Sequence, residues 1–481
     1  MMGTTDIGQR RPRPVAAAGA LLVWAIAVAP ASCGGKLDPE GQILLRVDTD
    51  APLPHAPGVT PDRQALTPLF DRLRIDVYPP GQDEPCGGCS REFAAYHESF
   101  QAGASIGVLP APTSGYRARI RLYRESLMVD GQPSDRCSLD TTIALPAVPA
   151  EGIVQGGVLL RTDDVGQPIG TPTDPVAWVP GRPPSSLVAT WSGATPKPCV
   201  GEPREDEVCI PGGAFWMGNP SVLGGEDAVD EPAPRLVVLS PFFLDRTEVT
   251  VGAFRSTGLA TLDPQGVSID PLPWSGEPTV QGSAASCRYR SAEDSAADEQ
   301  PLNCISYDKA RAFCRSKGSD LPTEAQLEYA AGGLKSDLYV WGTDYPSCDD
   351  SVYGRGGLRL ESVVCRTFGV SSGPLPPGSG QRDLLRIGDR SVVDLAGNVA
   401  ELALDTWNRQ KEACWLPTFL HDPICQRPSG EDQTPRTIRG GSWASAASSL
   451  RAAFRRGQKD EIDKTHLGPH VGFRCARPAT M

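Results

Sequence analysis

Glycine and proline limit the fold of this chain more than any other feature, at 51 and 47 of its 481 residues. Proline lacks the N–H that a helix interior needs, and glycine loses the most backbone entropy on ordering. An architecture of long helices is therefore excluded, and a strand-rich or loop-rich one is favoured. Loops of that kind need fastening. Fourteen cysteines could supply it, provided that the chain reaches an oxidising compartment. The hydrophobic content of 40% is enough for a core.

The N-terminus predicts export. Arg10, Arg11 and Arg13 precede an apolar run from Val15 to Val28. That run is too short for a comfortable membrane span and suits a signal peptide. Residues 1–33 are read as that signal. Ala31-Ser32-Cys33-Gly34 resembles a bacterial lipobox, with Pro30 where leucine is usual. In this reading Cys33 is lipidated and becomes the new N-terminus. Plain cleavage after Ala29-Pro30-Ala31 is the alternative. Parity speaks mildly against lipidation, which leaves thirteen cysteines and one of them without a partner, whereas fourteen could form seven bridges. The expected location is the bacterial cell envelope, as a lipoprotein facing the periplasm or the surface. The formal charge of −12 argues against nucleic acid held by phosphate neutralisation. No basic cluster follows the N-terminus, so the expected membrane contact is the lipid anchor alone.

Residues 34–40 read as a tether. Residues 41–165 read as an all-β sandwich domain of immunoglobulin-like type. Gln42–Asp48, Leu73–Tyr78 and Tyr116–Tyr123 alternate apolar and polar residues, with turn clusters such as Pro79-Pro80-Gly81 between strands. Residues 166–205 are rich in Pro, Gly and Ser and read as a linker, with Cys199 and Cys209 able to close a loop at its end. Residues 206–481 form the second expected domain.

That domain carries a series of motifs. Pro211-Gly-Gly-Ala-Phe-Trp-Met-Gly218 comes first, then the acidic loop Asp230-Glu231-Pro232. Phe242–Thr250 and Pro301–Tyr307 follow. Next is Leu321-Pro322-Thr323-Glu324, running on to Gly333, and then Asp394–Glu401, which includes Gly397, Asn398 and Val399. Arg439-Gly440-Gly441-Ser442-Trp443 and Gly472-Phe473-Arg474-Cys475 close the series. In this order the blocks resemble the formylglycine-generating enzyme, or sulfatase-modifying factor, family. The resemblance implies an irregular α+β fold related to C-type lectins. Local patterns agree. Ala310, Phe313 and Cys314 give Tyr307–Ser316 a helical spacing, and Thr323 with Gln326 is a capping box opening a helix from Glu324 to Ala331.

What the resemblance implies about chemistry turns on one absence. Catalytic members carry a copper(I)-binding cysteine pair just after the Arg-Gly-Gly-Ser-aromatic turn, and thiolates are the soft ligands that ion prefers. Here residues 444–474 contain no cysteine; the window reads Ala444-Ser445-Ala446-Ala447-Ser448-Ser449-Leu450-Arg451. No catalytic residue and no copper are expected. The resemblance also implies a calcium site, with Asp394 and Glu401 supplying side chains and Gly397 and Val399 carbonyls. The alternative is that Asp394 caps a turn and Glu401 pairs with an arginine. The resemblance suggests a Cys304–Cys475 disulfide. Cys348–Cys365 and Cys414–Cys425 would staple local loops, and Cys287–Cys314 takes the cysteines that remain.

Cys86-Gly87-Gly88-Cys89, with Cys137, reads as a disulfide plus one odd thiol, against a zinc site completed by His97. His466 and His470 have helical metal-pair spacing, but Gly468-Pro469 breaks the helix. The function expected is an exported, lipid-anchored envelope protein whose second domain is non-catalytic and binds a peptide, a glycan or an envelope protein, or serves structure. The alternative is an oxygen-dependent oxidase acting on peptidyl cysteine in exported proteins.

Overall fold

In the first strands, side-chain alternation decides which face is buried. The computed structural model describes residues 41–479 apart from 63–64, 109–113, 182–184, 220–233, 263–268, 274–285, 356–364, 366–372, 411, 427–434 and 458–466. The signal peptide with Cys33, the 34–40 tether, Asp230-Glu231-Pro232 and His466 lie outside the described residues. The first part contains β1 (Gln42–Thr49), β2 (Arg72–Tyr78), β3 (Ser90–Ala94), α1 (His97–Gln101), β4 (Ser105–Val108), β5 (Arg117–Tyr123), β6 (Ser138–Ala144) and β7 (Ile153–Leu160). One sheet runs β4-β1-β7 and the other β3-β2-β5-β6. Ile43, Leu45 and Val47 of β1 share a single apolar core with Leu73, Ile75, Ile120 and Leu122 of the second sheet. The β1–β7 pairing is parallel, and α1 adds a helical turn to a region expected to be all-β.

The segment 166–205 is not a free linker. Ile169 and Val176 lie parallel to β6, where the N–H groups of Thr142 and Ala144 reach their carbonyls at 2.9 and 2.8 Å. Trp191 is buried and donates its indole N–H to Asp163 at 2.8 Å. Proline holds the chain extended, and an extended chain can also cover a sheet edge. The expected domain boundary is blurred for the same reason. Trp216 is fully buried, donates to the Leu69 carbonyl at 2.7 Å and packs edge-on against Phe70 at 5.6 Å.

The second part continues with β8 (Glu207–Ile210), β9 (Gly213–Met217), β10 (Arg235–Leu239), β11 (Phe242–Asp245), α2 (Val251–Arg255), β12 (Thr261–Leu262), β13 (Ile269–Asp270), α3 (Tyr307–Ser316) and α4 (Glu324–Ala331). Then come β14 (Leu384–Ile387), β15 (Arg390–Val393), β16 (Ala400–Thr406), β17 (Phe419–His421), β18 (Arg436–Arg439), β19 (Arg455–Gly457), β20 (Val471–Gly472) and β21 (Ala476–Pro478). Its larger sheet is ordered β19-β18-β16-β20, and two three-stranded sheets run β17-β10-β9 and β21-β11-β8. Helices α3 and α4 occupy the spans that the apolar spacing and the capping box predict. Thr323 accepts the Gln326 N–H while the Gln326 side chain accepts the Thr323 N–H. Many strands and few short helices make the fold mixed.

Two expected disulfides are exchanged. Cys287 pairs with Cys304 and Cys314 with Cys475, in place of Cys304–Cys475 and Cys287–Cys314. Asn303 accounts for the first pair. Its side chain takes the Arg288 N–H at 2.8 Å and donates to the Ser286 carbonyl at 3.1 Å, which brings Cys287 beside Cys304. Cys314 lies on the buried face of α3 against Cys475, whose N–H is held by Asp245 at 3.0 Å. Cys199–Cys209, Cys348–Cys365 and Cys414–Cys425 are also paired. Cys86 pairs with Cys89, which removes both from a zinc set, and Cys137 is a buried free thiol.

Candidate functional site

The Arg-Gly-Gly-Ser-Trp turn leaves β18 and doubles back on itself. Gly440 has φ of +75°, a conformation that disfavours a side chain. A Cβ on Gly441 would come within 3.1 Å of the Ala396 carbonyl oxygen. The serines close the turn among themselves. Ser445 Oγ accepts the Ser442 N–H at 3.0 Å and lies 3.0 Å from Ser442 Oγ. Residues Ala447–Leu450 form a single 3-10 turn. Trp443 is fully buried against Val352 and Val399. Its backbone N–H reaches the Asn398 carbonyl at 2.7 Å, and its indole donates to Pro469 at 3.3 Å.

Asn398 is the second organiser of this centre. At φ +65° its amide clamps Leu375, accepting the N–H at 2.9 Å and donating to the carbonyl at 3.0 Å. Asp383 receives the N–H groups of Leu395, Ala396 and Gly397 at 2.9–3.1 Å, and the Ser351 hydroxyl at 2.7 Å. Arg474 is fully buried. It grips both oxygens of Glu401 at 2.5–2.9 Å and also donates to the carbonyls of Asp245, Val393 and Asp394. Glu248 completes the group, accepting the Val399 N–H and the Asn398 amide at 3.4 Å. Burial pushes Glu248, Asp383 and Glu401 above the usual carboxylate range. Burial, with Asp383 beside it, pushes Asp394 up to about 8. One guanidinium thus faces several carboxyls, and Asp394 keeps its proton at neutral pH.

Of the calcium set expected at Asp394, Gly397, Val399 and Glu401, the Glu401 carboxylate pairs with Arg474, as the alternative reading of that residue has it. Both Glu401 oxygens are held by a fixed cation, and a second cation beside Arg474 would be repelled. Asp394 turns one oxygen to the Gly378 N–H at 2.5 Å, and its other oxygen is buried without a hydrogen-bond partner. Among the described residues no group of three or more His, Cys, Asp or Glu is arranged to hold a metal ion.

A second buried network joins the motifs. Glu324 of α4 pairs with Arg439 at 3.2 Å and with Arg455 at 2.5 and 3.0 Å, and Glu328 pairs with Arg439. Asp405 accepts the N–H groups of Glu324 and Cys425 at 2.7 Å each. Burial first, then the Glu324 carboxylate, pushes Asp405 up to about 7, and burial pushes Asp245 up to about 6.

These folded-state values lie above the unfolded ones. The stability they contribute is complete below about pH 4 and is lost as pH rises through 6–7. Carboxylates held low, such as Asp76 and Asp320, lose theirs only below that window. The thermal midpoint is therefore expected to fall by a few degrees between pH 5 and pH 8. Differential scanning calorimetry checks this, and a midpoint that rises over that range contradicts it.

Arg474, Glu401, Arg439, Glu324 and Trp443 are motif residues that the fold brings into two buried networks. Leu321, Pro322, Gly472 and Phe473 serve the surrounding core and turns. Glu248 lies inside a quoted block, but no charge pattern marks it. Asp383 and Asp405 have no signal in the sequence beyond their neighbours.

The family model for the sulfatase-modifying factor enzyme 1-like domain matches residues 193–479. A formylglycine-generating enzyme of Streptomyces coelicolor is 28% identical over 325 residues, covering 62% of this chain and 96% of that protein. An inactive Cα-formylglycine-generating enzyme 2 of Bos taurus is 29% identical over 188 residues, covering 38% and 51%. The solved structure of PvdO from Pseudomonas aeruginosa aligns over 59% of this chain and 99% of its own, at 22% identity and a TM-score of 0.39. The match takes in more than half of the residues, and the chain belongs to the sulfatase-modifying factor family.

Proposed function

We propose that this chain is an exported envelope protein, tethered through Cys33, whose formylglycine-generating-enzyme-like domain does not catalyse oxidation and serves binding instead. One observation carries the reading. Every cysteine from Cys199 onward is in a disulfide: Cys199–Cys209, Cys287–Cys304, Cys314–Cys475, Cys348–Cys365 and Cys414–Cys425. No thiolate is left there for copper(I), and the turn where family oxidases keep theirs is closed by Ser442 and Ser445. The buried Trp443 adds support, since its ring is not exposed to a substrate. That a relative bears the name of an inactive enzyme supports the idea that the scaffold can be kept without the chemistry.

The buried free thiol removes the objection that cysteine parity raises against the tether. The pairs leave only Cys137 and Cys33, and Cys137 is buried at 1% exposure. The odd cysteine thus has a place in the core, and Cys33 stays available for lipid. In this reading residues 41–165 act as a β-sandwich support that shares its core with the second part.

Titration of the purified, unreduced protein with copper(I), against a chromophoric chelator, tests the proposal. No competition is expected. Stoichiometric copper(I) binding would overturn it in favour of the oxidase alternative.

A further inference from the structure

The hairpin β14–β15 has an unused edge. Gly388 has φ of +61° and Asp389 does not share that sign, so the two-residue turn is of type II′. Register pairs Ile387 with Arg390 and Arg386 with Ser391. In such a hairpin the residues flanking the turn bond to each other, and the next pair points its backbone groups outward. The Val393 N–H confirms the alternation, because it leaves β15 for the Arg246 carbonyl at 2.9 Å. The backbone N–H and carbonyl of Arg386 therefore face away from β15. No backbone partner meets them among the described residues.

That edge borders a groove of about 690 Å³. Leu334, Val340, Leu384 and Ile387 give it half-buried apolar walls. Lys335 and Arg386 also line it, both exposed, and neither side chain forms an ion pair among the described residues. Asp337 is the single carboxylate of the lining, and Arg124 lies close enough to feel its charge. The groove is thus locally basic on a chain whose net charge is −12.

We propose that this groove receives an extended acidic peptide segment of a partner protein, added as a third strand beside β14. The proposal rests on the reading of the chain as a binding protein and names its partner class. Backbone bonds to Arg386 would supply register and alternate side chains would enter the apolar walls. Carboxylates would meet Lys335 and Arg386. A glycan fits less well, because Trp341 is already stacked on Tyr339 at 4.9 Å and overlain by Arg382, so it is not a free platform for sugar rings.

Panning a phage-displayed random dodecapeptide library on the full chain tests this. Selected peptides are expected to alternate apolar residues with Asp or Glu. Their affinity should drop at least tenfold for Lys335→Glu with Arg386→Glu. Arg386→Pro should give a similar loss, because it removes the outward N–H while sparing the bonds to β15. Melting curves verify folding, and if the proline variant does not fold the charge-reversed pair decides. Peptides that are basic, or that bind the variants as well as the wild type, would overturn the proposal. So would enrichment of no peptide together with binding of hexagalacturonate, the anionic glycan probe, that the same substitutions abolish. Failure of the non-catalytic reading would appear elsewhere, as copper(I) binding unaffected by these substitutions.

Discussion

Arg474→Met is expected to be the most destabilising single substitution in the protein. The guanidinium is fully buried and makes its bonds with Glu401 and three backbone carbonyls. Removing one partner of a buried pair typically costs about 3–5 kcal/mol, because the other is left charged without water. Here the residue left behind is Glu401, beside Glu248, Asp383 and Asp394, so the upper end of that range applies. A loss of that size is a large part of an ordinary domain's stability of about 5–15 kcal/mol. Urea denaturation at pH 7 measures it. The deficit should shrink as pH is lowered towards 5, where the orphaned carboxyls take up protons. Adding Glu401→Leu should recover part of it. A loss below about 1 kcal/mol would mean that the ion pair is not the centre of this core.

Glu324→Ala is expected to cost about 3–4 kcal/mol by the same logic with the signs reversed. Glu324 is fully buried at the start of α4 and neutralises Arg439 and Arg455, with Arg235 also close enough to hold its carboxyl low. Without it, these arginines repel one another at the point where α4 meets β18 and β19. Glu324→Gln keeps the hydrogen-bonding shape and loses only the charge, so its cost should be smaller. Thermal and urea unfolding of the two variants, side by side, separates charge from geometry. Equal losses would contradict the electrostatic account.

Much of this architecture is local, and local features can be read along the chain. The capping box at Thr323 and the buried stripe of α3 give both helices with their ends. The alternation in Gln42–Asp48 and Leu73–Tyr78 gives strands and their inner faces. The ordered motifs give the family. What could not be read depends on contacts between distant residues. Cys287 meets Cys304 because the Asn303 side chain pins residues 286 and 288, and nothing in cysteine spacing encodes that. An arginine partner for Glu401 was one of two readings of that residue, but that it is Arg474, 73 positions away, depends on the folded chain. Proline-rich residues 166–205 look like a linker because extended chain and edge strand share one composition.

Oxygen consumption by the purified full chain, supplied with copper(I) and a cysteine-containing peptide, tests the central claim most directly. The account predicts no uptake above the peptide and copper alone, with the peptide's cysteine unchanged by mass spectrometry. Sustained uptake with conversion of that cysteine to an aldehyde would contradict it.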